Sequence, residues 1–152
     1  MSDVVPKARR SEMMAGIKGK DTKPEMIVRS GLHKMGFRYV LHDKRLPGKP
    51  DLVFPRYRAI ILVNGCFWHM HGCHLFKWPG SSKEFWRAKL ERNRDRDIEN
   101  LRSYKLRGWK VLIVWECALK GRNRLSESLL LNECAGWLSQ GGGSRSIPEL
   151  GK

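Results

Sequence analysis

The stretch AIILVNGCFWHMHGCH, residues 59–74, decides how the chain is read. Ala59, Ile60, Ile61, Leu62 and Val63 are continuously apolar, without the alternation of a half-solvated strand. That is the pattern of a central strand covered on both faces. Residues 64–74 then hold two cysteines, three histidines and the adjacent aromatics Phe67 and Trp68. Whatever chemistry these side chains carry therefore stands at the end of a buried strand.

The rest of the chain is organised around that strand. Lys110-Val111-Leu112-Ile113-Val114-Trp115-Glu116 is a second buried strand, ending at Cys117. Asp51-Leu52-Val53-Phe54 is a short strand stopped by Pro55, and Phe37, Tyr39 and Leu41 alternate with Arg38 and Val40 as a half-buried strand would. Ser11 caps a short helix carrying Met13, Met14 and Ile17. Thr22-x-x-Glu25, with Pro24 in the first turn, opens a helix that carries Val28, Leu32 and Met35 and stops at Gly36. Ser81-x-x-Glu84 opens a long helix from about Ser82 to Leu106, closed by Gly108, and a last helix spans roughly Leu125 to Leu138. The order α-α-β-β-β-α-β-α predicts an α/β fold, a mixed central sheet flanked by helices. One domain over 11–140 is expected, with a flexible basic arm at 1–10 and a flexible tail at 141–152 that begins GGGSRS.

Charge narrows the function. Thirty Lys+Arg against fifteen Asp+Glu give a net charge of +15 and a pI near 10.2. Such an excess suits a polyanion, and nucleic acid above all. No stretch has the apolar length of a membrane span, and the N-terminus lacks the apolar core of a signal peptide. A cytoplasmic protein without a membrane partner is expected.

Several residues can carry chemistry. Cys66, His71 and Cys73 place three metal donors close together, and Cys117 ends a different strand of the same sheet. A Cys3His set is a structural zinc site; His69 and His74 are rival ligands, and Cys134 reads as core. Asp51 opens a strand after Pro50, where with Glu25 it can hold Mg²⁺, although a Pro-Asp dipeptide is usually a turn and a capping box explains Glu25 equally well. On the long helix, Leu90, Asn93, Asp97, Leu101 and Tyr104 share one stripe, so Asn93 and Asp97 interrupt the face that should pack. A buried aspartate needs a partner, which points Asp97 into a site. His69 can act as an acid or base near neutrality. Phe67 and Trp68 cannot both enter the sheet core, and on so basic a chain they suit base stacking or insertion. Packing under the metal loop is the alternative.

Together, SEMMAGIKGKDTKPE (11–25), LPGKPDLVF (46–54), NGCFWHMHGCHLFKWP (64–79), EFW (84–86), NRDRD (93–97) and GWKVLIVWECALKG (108–121) resemble the very short patch repair (Vsr) endonucleases, the T:G mismatch nickases of bacteria. The resemblance spans about residues 7–138. It implies a restriction-endonuclease-like fold with an added zinc site, with Cys66, His71, Cys73 and Cys117 as zinc ligands. It also implies Mg²⁺ on Asp51 and the Val63 backbone carbonyl, with Glu25 holding metal-bound water. His69 would transfer protons near the scissile phosphate, supported by Asp97. Phe67, Trp68 and Trp86 would wedge beside the mismatch from the major groove and Met14 from the minor groove, with Asn93 among the DNA-facing residues. Many members carry His at the position of Asn64, so a catalytic Asn64 is limited to hydrogen bonding. Met70 replaces a histidine seen in some members, and no lysine occupies the acid-x-Lys slot at Leu62-Val63-Asn64.

The function implied is a Mg²⁺-dependent nick 5′ of the T in T:G mismatches left by 5-methylcytosine deamination, which starts very short patch repair. The expected partner is double-stranded DNA bound by a monomer, with functional coupling to a cytosine-5 methyltransferase and to mismatch-repair proteins. Two rival readings are a non-catalytic zinc-dependent DNA-binding module and a restriction-type nuclease of the same fold.

Overall fold

The two continuously apolar runs become the central strands of a five-stranded sheet among the described residues, which are 22–140 and 142–148 of a computed structural model. The strands are β1 (Val40–Leu41), β2 (Leu52–Phe54), β3 (Ala59–Asn64), β4 (Lys110–Trp115) and β5 (Arg145–Ile147), adjacent in that order. The pairs β1–β2 and β2–β3 are antiparallel; β3–β4 and β4–β5 are parallel. Three helices flank the sheet: α1 (Lys23–Lys34), α2 (Lys83–Leu106) and α3 (Glu127–Ser139). The mixed α/β arrangement read from the sequence is the one observed. No helix of the described residues is long and apolar enough to cross a membrane.

Strand alternation sorts the apolar residues into two layers. Leu52, Phe54, Ala59, Ile61, Leu112 and Val114 face α1 and α3, where they meet Val28, Leu32, Leu130, Cys134 and Trp137. Val53, Ile60 and Val111 face the other way and pack against Tyr104 of α2. Covering both faces is what makes Ala59–Val63 of β3 and Val111–Trp115 of β4 continuously apolar. Cys134 lies in the first layer, as core.

Tyr104 ties α2 to the segment that leads into the site. Its side chain is 1% exposed, and its hydroxyl donates to the Pro47 carbonyl at 2.5 Å. Next to that carbonyl, Gly48 has φ +77, and a Cβ there would come within 2.3 Å of Asn100 Nδ2. Glycine adopts this backbone without strain and lets Asn100 lie against it. The LPGKP turn is thereby clamped onto α2, and Asp51 follows it directly.

Four local expectations change. The half-buried strand over Phe37–Leu41 shrinks to Val40–Leu41, because β2 is only three residues long before Pro55 opens a 3-10 turn. Phe37 and Tyr39 still pack inward, on Tyr57 and Phe54. The Ser81-x-x-Glu84 capping box does not form: the residue before α2 is Ser82, left-handed at φ 55, with no side-chain cap bond. The last helix begins later than Leu125, because Ser126 is its N-cap and accepts from the Leu129 N–H at 3.1 Å. Residues 145–147, expected within a loose tail, pair with β4. Strand β4 has a free apolar edge there; Ile147 is buried against it, Ser144 Oγ accepts from Val111 N–H, and the Trp137 indole donates to the Gly143 carbonyl. The N-terminal arm and the short helix from Ser11, with Met14, lie outside the described residues.

Replacing Tyr104 with Phe leaves the half-buried Pro47 carbonyl without its donor. Y104F is expected to lower stability by about 1–2 kcal/mol, measured by denaturant unfolding; an unchanged midpoint and slope would show that the clamp is not needed.

Candidate active site and metal clusters

The loop after β3 folds on itself before it reaches α2. His69 N–H donates to the Gly65 carbonyl and His71 N–H to the Cys66 carbonyl, with Met70 left-handed at φ 52 between them. This tight turn aims His69 and His71 in different directions. Glu116 accepts from the Cys66 N–H at 3.2 Å and so ties the turn to the end of β4.

Cys66, His71, Cys73 and Cys117 come together with all donor atoms within 4.8 Å of one another. His71 Nδ1 lies 3.5 Å from Cys66 Sγ and 3.6 Å from Cys117 Sγ. Tetrahedral zinc, with Zn–S about 2.3 Å and Zn–N about 2.0–2.1 Å, sets such S···N edges near 3.6 Å. The Cys117 and Leu75 N–H groups donate to Cys66 Sγ and Cys73 Sγ. Burial pushes the Cys66 and Cys117 thiols above their ordinary value, so buried neighbouring thiolates require a cation. His71 is stacked on Trp115 at 4.0 Å, and burial lowers its pKa. The cluster can hold a metal such as zinc. Of the rival ligands, His69 and His74 lie outside it.

On the other side of the β3 end, a cleft of about 690 Å³ is lined by His42, Asp51, Val63, Asn64, His69 and Asp97, among others. Asp51 Oδ2 accepts from the Val63 N–H at 2.8 Å. Burial pushes its pKa up to about 6, against the Val63 hydrogen bond that lowers it, and the Glu25 charge raises it further. Asp97 sits where its stripe on α2 meets the turn, 2.5 Å from His69 Nδ1. A turn away, Asn93 Nδ2 donates to the Trp68 carbonyl at 3.3 Å. The two polar residues in the packing stripe therefore both hold the loop.

Glu25 is 2% exposed. Its N–H donates to Thr22 Oγ1, while its carboxylate takes Arg29 at 2.9 Å and His42 Nε2 at 3.0 Å. The cap explains the backbone, and the carboxylate reaches His42, which lines the cleft. Glu25, His42 and Asp51 form a second group of possible ligands within 4.8 Å of one another. Two carboxylates and an imidazole fit a divalent cation. Sequence reasoning missed His42, which belongs to no motif; it also missed Glu116.

Phe67, Trp68 and Trp86 meet edge-on or tilted, with ring centroids 5.2–5.8 Å apart. Phe76, Trp78 and Phe85, which the sequence did not single out, extend the group. Trp78 and Phe85 are exposed. The aromatics thus pack on one another beside the metal loop and still reach solvent. Met14 lies outside the described residues.

The buried Asp51 carries a sign that can be measured. A carboxyl whose folded pKa lies above its unfolded value costs stability once it ionises, so the cost is absent below about pH 4 and complete above about pH 6. In zinc-loaded protein with no Mg²⁺ added, Asp51→Asn is expected to stabilise the protein by up to about 3 kcal/mol at pH 8 and little at pH 4. A pH-independent difference between the two unfolding curves would refute the assigned burial.

The family model described as "DNA mismatch endonuclease Vsr" matches residues 2–75. The DNA mismatch endonuclease Vsr of Escherichia coli K12 is 42% identical over 151 residues, 99% of this chain and 97% of that protein. The type II nicking enzyme V.XorIIP of Xanthomonas oryzae is 43% identical over 129 residues, 85% of this chain and 95% of its own length. V.NmeAIP of Neisseria meningitidis, also a type II nicking enzyme, is 42% identical over 129 residues, 85% and 92% of the two chains. With identity of this level over nearly the full length of both chains, this protein belongs to the Vsr family of DNA mismatch endonucleases.

Proposed function

We propose that this chain is a Mg²⁺-dependent DNA endonuclease that nicks one strand 5′ of the T in a T:G mismatch. The observation that carries the reading is the cleft: Asp51, Asn64 and the His69–Asp97 pair come from β2, β3, the metal loop and α2, and converge beside a partly exposed aromatic shelf. The layered sheet and helices are read as the restriction-endonuclease type, and the Cys3His cluster as its structural zinc site.

Asp51, with its oxygen beside Val63, would hold the divalent ion. The N–H and C=O of one strand residue point to the same side, so the Val63 carbonyl faces the Asp51 side as well. When bound, the ion supplies charge neutralisation at the phosphate and a more acidic water. His69 does the proton work. Asp97 accepts from Nδ1 and leaves Nε2 to take a proton from the attacking water or give one to the leaving oxygen. Glu25, held by Arg29 and His42, orients water at the inner wall. Asn64 offers an amide to the phosphate and does not titrate.

The net charge of +15 draws the duplex in, and Arg94 at the cleft edge meets the backbone. Phe67, Trp68 and Trp86 enter the stack at the mispair, with Met14 opposite. Asn93 acts through Trp68, whose carbonyl it holds. A wobble pair unstacks more readily than a Watson–Crick pair, so insertion selects the mismatch. The mismatch in turn implies a cytosine-5 methyltransferase as its source and repair proteins downstream. One chain supplies the whole cleft, which suits a monomer.

The test is a duplex with a single T:G pair, labelled on each strand in turn. Wild type with Mg²⁺ is expected to cut only the T strand, and His69→Ala to cut it about 10²–10⁴-fold more slowly. Cleavage of both strands at equal rates, or H69A acting at the wild-type rate, would sink the reading.

A further inference from the structure

His42 stands where a weak edge strand ends, yet its geometry is tightly set. Its N–H donates to the Asp51 carbonyl at 3.0 Å, which carries the β1–β2 pairing one residue past the strand. Its backbone is left-handed, at φ 46, a conformation that L residues other than Asn, Asp and His seldom adopt. The result is direction. Nε2 lies 3.0 Å from Glu25 Oε2 and 4.0 Å from Asp51 Oδ1, between the two carboxylates.

Charge neutralisation alone does not call for an imidazole here. Arg29 already sits 2.9 Å from Glu25, and Asp51 has the Val63 N–H. Ion coordination does. An octahedral ion with ligands at about 2.1 Å sets neighbouring donors about 3.0 Å apart and opposite donors about 4.2 Å apart. The two separations from His42 Nε2 span that range.

We propose that His42 Nε2 is a direct ligand of the divalent ion in the cleft, beside Asp51 and Glu25. This rests on the ion site assigned to Asp51 above and changes which ion that site prefers. Mg²⁺ takes oxygen ligands and sheds water reluctantly. An imidazole beside carboxylate oxygen accepts first-row transition ions better, because their affinity for nitrogen donors is higher. The cleft therefore binds Mn²⁺ ahead of Mg²⁺. Mn²⁺ is also the suitable probe, since thiolate sites select Zn²⁺ and leave the Cys3His cluster undisturbed.

Direct binding tests this without reference to cleavage. Mn²⁺ is added to the full zinc-loaded chain, and pulsed EPR reads nitrogen coupling to the bound ion; Mg²⁺ competition gives relative affinity. Wild type is expected to show coupling from one directly bound imidazole. His42→Asn tolerates the left-handed backbone, and His42→Gln provides a second variant. Each should lose the coupling and about tenfold or more in Mn²⁺ affinity, with Mg²⁺ affinity changed by less than about threefold. Bound Mn²⁺ that is lost in Asp51→Asn but shows no nitrogen coupling in wild type overturns the His42 assignment and leaves the ion site standing. Failure of wild type to bind either ion in the cleft overturns both.

Discussion

The register of β3 against β4 fixes the positions of everything else. The two strands run parallel for six pairs, from Ala59↔Lys110 to Asn64↔Trp115. Each then leaves the sheet, and a cysteine follows two residues on, Cys66 from one strand and Cys117 from the other. The Cys117 N–H meets Cys66 Sγ at 3.3 Å. A slip of one residue would turn every apolar side chain to the opposite face and would also part the two sulfurs. Core packing and the metal cluster therefore enforce the same alignment.

The loop between Cys66 and Cys73 is short enough to be held at both ends by that cluster. His71 points back to the sulfurs, His69 forward to Asp97, and Phe67 and Trp68 toward Trp86. The loop thus sends its side chains three ways: toward the cysteine cluster, toward Asp97 in the cleft, and toward the aromatic shelf. Helix α2 completes the arrangement by lending Asn93 and Asp97 from a face that otherwise packs. The cleft and the aromatic shelf share one frame, which under the proposed function would align deformation of the duplex with the chemistry.

Much of this was legible in the sequence where the pattern was periodic or dense. The central strands were visible because burial on both faces removes alternation. Asp97 was visible because an acid on a packing stripe needs a reason. Cys117 was legible as the partner of a distant loop because both cysteines follow strand ends. Other features carried no such signal. His42 is one polar residue after a two-residue edge strand, and its role depends on backbone handedness that composition does not encode. Strand β5 follows a glycine run whose composition reads as loose; the open edge of β4 decided otherwise. The serine at the start of α2 is left-handed, so a matching capping-box motif had no geometry to act through. Glu25 shows the reverse case: two explanations competed in the sequence, and in the structure its N–H serves the cap while its carboxylate meets Arg29 and His42.

Under the proposed function, insertion at a weak pair is coupled to cleavage in the adjacent cleft. The most direct test of this coupling is the ratio of nicking rates for T:G and C:G duplexes with the same flanking bases, under single turnover at saturating protein. Since unstacking costs on the order of a few kcal/mol per step, the T:G duplex is expected to be nicked at least about 100-fold faster. Equal rates on the two duplexes would contradict the coupling.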